Sequence, residues 1–169
     1  MPRISRFAVV IAMVAIVIGS ATFRVHAQDP DPFAGSAIQS LGSVSPSIMA
    51  DHTLNLVQVT MQPGASIAMH HHPGPVVISV QSGEFTTSFQ VGSVVLTRAA
   101  NDATPAASEK IVAGTKYVLK PGDSIAYDAD AMGHYMANEG NEPLVLLAAV
   151  FWTTDADGFM FEDAATPTS

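Results

Sequence analysis

The chain has 169 residues, no cysteine, and 7 Lys and Arg against 15 Asp and Glu, a formal net charge of −8 with His neutral. Without thiols there is neither a disulfide framework nor thiolate metal or redox chemistry, so any metal must be held by nitrogen and oxygen. The acidic balance repels phosphate backbones and anionic headgroups, which argues against nucleic acid and acidic lipid as partners.

Arg3 and Arg6, an apolar run over 7–18 and the small-residue ending Val25-His26-Ala27 read as a secretory signal peptide cleaved after Ala27. The run is short of the roughly 20 residues that span a bilayer, which leaves an uncleaved anchor reaching Phe23 as the minor alternative. Cleavage after Ala21 would leave the same domain with a longer tail. Three basic residues leave with 1–27, so the 142 residues that remain carry four basic and 15 acidic groups, net −11. That length suits one domain with its own core, secreted or periplasmic and without stable membrane insertion.

The mature chain opens with 28–50, rich in Pro, Gly, Ser and Ala, a lead-in with room for one edge strand around 37–41 and no expected function. Over 53–61 polar and apolar residues alternate through Leu54 and Leu56 and continue into Val57 and Val59, which predicts a strand. Pro63-Gly64 turns the chain into the stretch that asks for chemistry, His70-His71-His72. In an extended strand His70 and His72 share one face and His71 takes the other, so two imidazoles form half a metal site. The same alternation puts Ser66 and Ala68 on the His70 face. Pro73-Gly74-Pro75 ends this strand, and 76–80 is expected to return beside the histidines with Val76, Ile78 and Val80 on one face.

Strands follow at 85–89 and 93–97, and 99–114, small and polar without an apolar face, reads as a surface loop. The segments 116–119 and 124–127 flank the turn Lys120-Pro121-Gly122-Asp123. His134 opens another strand with Met136 beside it, Asn138 starts a tight turn, and 144–152 is apolar enough for a buried strand ending in Phe151 and Trp152 as core. The acidic tail 155–169 is expected to pack Phe159, Met160 and Phe161 back on the domain. Short strands and turns at this spacing, with helix signals nearly absent after residue 27, predict an all-β sandwich or barrel over 51–154.

Gly64, five residues, His70-x-His72 and Gly83, followed by Gly122 and His134-x-x-x-Asn138, resemble the two motifs of the cupin superfamily over 53–152. The resemblance implies a single cupin-like antiparallel β-barrel of jelly-roll type with a metal inside, held in that family by three His and one Glu. His70, His72 and His134 fall on the three His positions, and Val76 stands where the family has its Glu. In the second motif Asp128 and Asp130 replace a Pro and a Gly, with one extra residue before His134.

Three neutral imidazoles leave a divalent ion its full charge and open positions, which favours a small anionic ligand; Fe, Zn, Mn and Cu all stay open as the ion. With iron, the same three His would make a dioxygenase-like oxidoreductase, as in family members that are similar in using three His. Without an ion, the chain would be a metal-free ligand-binding or structural barrel. No catalytic residue is assigned. Asp128 and Asp130 read as solvated turn acids, with replacement ligand or base as the alternative; His52 reads as a surface residue, His71 as outside the pocket and Asn138 as a turn former. Cupin-like barrels often pair through their sheets, which makes a homodimer compatible with the resemblance.

Overall fold

The computed structural model describes residues 31–101, 106–129 and 133–161; the expected signal peptide and Asp130 lie outside them. Twelve strands run in order: β1 (Ser36–Val44), β2 (His52–Met61), β3 (Ser66–His71), β4 (Val76–Ser82), β5 (Phe85–Phe89), β6 (Val94–Arg98), β7 (Ala107–Lys110), β8 (Tyr117–Leu119), β9 (Ser124–Tyr127), β10 (His134–Ala137), β11 (Leu144–Thr153) and β12 (Met160–Phe161). They form a seven-stranded sheet, β1-β2-β11-β4-β9-β6-β7, and a five-stranded sheet, β12-β3-β10-β5-β8. Every pairing is antiparallel. From β2 to β11 the chain passes back and forth between the sheets, apart from the β6–β7 hairpin, which is the jelly-roll form of an all-β barrel.

Alternation explains the core. Val76, Ile78 and Val80 of β4, Ile125 and Tyr127 of β9, and Leu144, Leu146, Ala148 and Val150 of β11 all turn inward. They meet Ile67, Phe85, Phe89 and Leu119 of the other sheet in one apolar cluster. The alternate residues of β11 are half-buried, because its outer face is a sheet surface; the apolar run is therefore buried on one side, not on both.

Two expectations change. The segment after Pro73-Gly74-Pro75 does not return beside the histidines: β4 pairs with β11 and β9 in the opposite sheet and faces β3 across the interior. The corner is held against β11, where the Phe151 amide donates to the Pro75 carbonyl at 3.1 Å. A Cβ at position 74 would lie 2.2 Å from the Phe151 carbonyl oxygen, so only glycine lets the chain cross there. The second change is in the supposed loop at 99–114. Its residues 107–110 form an edge strand on β6 with all four side chains exposed, so backbone pairing holds it with no apolar pattern to reveal it.

Asn138 closes the end of the barrel near β3. Its Nδ2 donates to the carbonyls of Met61 at 3.0 Å and Glu142 at 2.8 Å, and the Gly140 amide donates to its Oδ1 at 3.1 Å. Its backbone is tied to Gly64 and Ala65 as well, so it fixes its own turn and also joins the start of β3 to the end of β10. Asn138→Ala leaves buried carbonyls without donors and should lower unfolding stability by about 2–4 kcal/mol. Urea denaturation of the variant checks this, and a loss within error of zero would show that the side-chain bonds are dispensable.

Candidate metal centre

His70 and His134 are directly opposed in the β3–β10 ladder, whereas Met136 is opposed to Ile67. Two residues of β3, Ala68 and Met69, therefore face the single Tyr135 of β10, a β-bulge that shifts the alternation by one residue. Simple alternation puts Ser66 and Ala68 on the His70 face. With the bulge, Ile67 and His70 are fully buried, while Ser66 and Ala68 are exposed. His72, just past the strand end, is also buried, and His71 stands outside the cluster.

His70, His72 and His134 converge, each offering a ring nitrogen within 4.8 Å of the others. Ring centroids are 4.2 Å apart for His70 and His134, 5.0 Å for His70 and His72, and 5.1 Å for His72 and His134. Phe89 stacks on His134, Trp152 stacks on His72, and the edge of Phe159 meets His72, so packing fixes the rings.

Hydrogen bonds fix two tautomers. His70 Nδ1 lies 2.7 Å from the Ala68 carbonyl and His72 Nδ1 2.5 Å from the Gly158 carbonyl. A carbonyl only accepts, so Nδ1 carries the proton in both and each Nε2 presents a bare lone pair. His70 Nε2 is buried with no hydrogen-bond partner among the described residues; in His134 the unpartnered nitrogen is Nδ1, while Nε2 has the Tyr127 hydroxyl at 3.3 Å. Burial pushes His70 down to about 4, although its bond to Ala68 opposes the shift. Burial lowers His72 as well, and lowers His134 well below its ordinary value with help from His70 and His72. Neutral imidazoles with unshared lone pairs are what a metal requires of its ligands.

Beside the centre is a cavity of about 260 Å³. Its lining includes the buried His72, Val76, Met136 and Val59, with Trp152 and Phe159 among the other wall residues. Asn55 and His72 are its polar members, and among the described residues no Lys, Arg, Asp or Glu lines it. Val76, 2% exposed, places an isopropyl group where the family resemblance calls for a carboxylate.

Several contributors are not expected from the sequence. Trp152 and Phe159 belong to the cavity wall as much as to the core, and Gly158 supplies the carbonyl that orients His72. The lead-in takes part too: Ile38 lines the cavity and Phe33 packs edge-on against Phe159 at 5.1 Å. Tyr127 is buried with its hydroxyl 3.3 Å from His134 Nε2; the alternation of Ile125 and Tyr127 with Ser124 and Ala126 is the signal that turns it inward. Asp128 is exposed and its Oδ1 accepts from the Ala129 amide at 2.7 Å, an ordinary turn contact. His52 is paired with Asp51 at 2.9 Å and stacks on Phe151, away from the centre.

An antiparallel two-sheet barrel enclosing a His-x-His pair and a third His on the adjoining strand defines a class: this is a cupin-fold protein with a three-histidine centre. No family model and no curated protein sequence matches the chain. Among solved structures it is similar to a cupin 2 domain-containing protein from Halorhodospira halophila, at 15% identity and a TM-score of 0.49, covering 78% of this chain and 72% of that one. It is similar also to the cupin_2 domain of an XRE family transcriptional regulator from Enterobacter cloacae, at 14% identity and a TM-score of 0.44, covering 68% of this chain and 94% of that one. A third is the oxalate decarboxylase of Lactobacillus farciminis in its formate complex, at 20% identity and a TM-score of 0.46; the match covers 79% of this chain but only 33% of the decarboxylase. At these identities the likeness is one of fold.

The depressed His70 value gives a pH dependence with a definite sign. An unfolded His titrates near 6.5 and folded His70 near 4, so between these values the unfolded chain binds a proton that the folded chain does not. The contribution of neutral His70 is therefore complete above pH 6.5 and is lost as pH falls towards about 4. Metal-free protein should show a falling thermal midpoint across that window, and His70→Gln should make the fall shallower, the remainder coming from His72 and His134, which are lowered in the same direction. An equal slope in both proteins would assign the loss to other groups.

Proposed function

We propose that the chain is an exported cupin-fold protein in which His70, His72 and His134 hold one divalent metal ion at the wall of a small apolar pocket. The carrying observation is the convergence of three buried, neutral imidazoles inside an otherwise apolar core, with a buried ring nitrogen of His70 and one of His134 left without a partner among the described residues. Leaving such a buried polar atom unmet costs about 1–3 kcal/mol, a cost that a coordinated ion removes where the atom is a ligand. An imidazole set suits Zn, Cu or Fe better than Mn, which prefers more oxygen donors.

The ion supplies the positive charge that the cavity wall lacks. A ligand that fits 260 Å³ is small, below the roughly 300–1,000 Å³ usual for drug-sized molecules. Val57, Val59, Ile78 and Val150 favour an apolar body, and a bound cation favours an anionic head directed towards the histidines. Asn55 offers the other polar contact. Phe159 and Trp152 add aromatic surface to the same wall.

Export rests on the sequence of 1–27. Self-association is supported by the outer face of the seven-stranded sheet, where Leu56, Ala149, Val77, Ala126 and Val95 lie in register across five strands. Leu56, Val77 and Val95 are exposed, and the row carries no charge on a strongly acidic chain, so it is the face on which a second copy meets least repulsion.

Elemental analysis of untagged protein purified without chelator is the test. Close to one metal per chain is expected, falling to background in each of His70→Ala, His72→Ala and His134→Ala. Folded protein that stays metal-free after incubation with Fe²⁺, Zn²⁺, Mn²⁺ and Cu²⁺ would overturn the reading. The same preparation should begin at Gln28 and sediment as a dimer; an intact N-terminus or a clean monomer removes the corresponding part.

A further inference from the structure

Val76 and Tyr127 are opposed residues of the β4–β9 ladder, and both turn into the barrel, at 2% and 6% exposure. An oxygen carried on position 127 therefore enters the same region of the interior as an oxygen on position 76 would, one strand across. We propose that Tyr127 is the fourth ligand of the centre, its phenol oxygen replacing the carboxylate that Val76 does not supply. This rests on the three-histidine reading above and adds an oxygen donor to it.

The distance to His134 carries the inference. Tyr127 Oη lies 3.3 Å from His134 Nε2, its one hydrogen-bond partner among the described residues. Hydrogen bonds between nitrogen and oxygen usually fall at about 2.7–3.2 Å, so this contact is a long one. Two donor atoms each bound about 2.05 Å from one ion are about 2.9 Å apart at a right angle and about 3.4 Å apart at the tetrahedral angle. The observed separation lies within the range for two ligands of a common ion, with His134 binding through Nε2 and leaving Nδ1 as the protonated nitrogen.

The surroundings agree. The Tyr127 ring lies 5.2 Å from that of His134 and 6.2 Å from that of His72, so the phenol belongs to the same cluster as the imidazoles. Phe89 packs edge-on against it at 5.2 Å and also stacks on His134, which holds the two rings in a fixed relation. No Asp or Glu joins the cluster among the described residues, so Tyr127 is the anionic oxygen donor the centre can recruit there. On coordination the O–H bond breaks as the oxygen–metal bond forms, and the proton passes to solvent.

The readout is optical and needs no turnover. The full chain is loaded with Fe³⁺ and, separately, Cu²⁺, and its visible spectrum recorded; a phenolate ligand gives a charge-transfer band that imidazoles alone do not. Tyr127→Phe should abolish the band and weaken Zn²⁺ binding by at least 10–100-fold, the range seen when even a supporting partner is lost. Val76→Glu in the Tyr127→Phe background should restore Zn²⁺ affinity while leaving the band absent. Metal-loaded wild-type protein without the band, or a band that survives Tyr127→Phe, overturns Tyr127 as a ligand while the three-histidine centre stands. In that outcome Tyr127 only orients His134. Wild-type protein that takes up no metal overturns both.

Discussion

One extra residue in β3 decides what the barrel contains. The bulge at Ala68 and Met69 brings His70 onto the same inward side as Ile67, one above the other in the interior. Without it, regular alternation would turn one of them outward: Ile67 would leave the core, or His70 would leave the centre. The bulge lets a strand that contributes to the core at one end contribute ligands at the other. Its second effect is local, because the Ala68 carbonyl that accepts from His70 Nδ1 belongs to the bulge itself. The irregularity that aims the imidazole thus also selects its tautomer.

The remaining histidines are fixed by elements far apart in the chain. His72 sits at the corner where β3 gives way to β4, and its proton is held by the carbonyl of Gly158, 86 residues on. His134 is carried by β10 between β3 and β5 and has Phe89 stacked on it. Burial then does the electrostatic work: desolvation keeps all three rings neutral, so the lone pairs stay available. An apolar core is an expensive place for three polar rings, and the expense falls on the metal-free state. The same low-polarity setting strengthens whatever bond the nitrogens form.

The ligand set and the strand order differ in how far the sequence reveals them. His70-x-His72 with Gly64 and Gly83 at fixed spacing, and His134 after a Pro-Gly-Asp turn, are legible because the residue types are unusual and the turns punctuate them. The inward faces of β4, β9 and β11 follow from alternation. The bulge does not, since Ile67-Ala68-Met69 has no glycine or other mark of irregularity. Nor does the choice of partner for β4: Pro73-Gly74-Pro75 announces a change of direction, but whether the chain folds back on its own sheet or crosses to the other depends on contacts with Phe151, distant in sequence. Tyr127 is recognisable as inward from four residues of alternation, but its place beside Val76 is a consequence of strand order. Local pattern gives the face of a strand, and long-range pairing gives its neighbours.

The two ends of the described chain illustrate the same division and bear on the site most directly. Neither the Pro- and Gly-rich lead-in nor the acidic tail carries a motif, yet β1 supplies Ile38 to the cavity wall and β12 pairs with β3 at His70 and His71. Phe33, Phe159 and Phe161 pack against one another, joining the lead-in to the tail. Phe159 then reaches the rings of both His70 and His72. The Gly158 carbonyl holding His72 is therefore only as well placed as this aromatic cluster makes it. Close packing at Gly158, where a Cβ would lie 2.9 Å from the Trp152 ring, leaves that carbonyl little freedom. A centre whose three histidines lie on β3, its corner and β10 thus depends for its geometry on both segments that flank the barrel. The composition of those segments points away from function because their contribution is made by a backbone carbonyl and by packing, neither of which leaves a motif in the sequence.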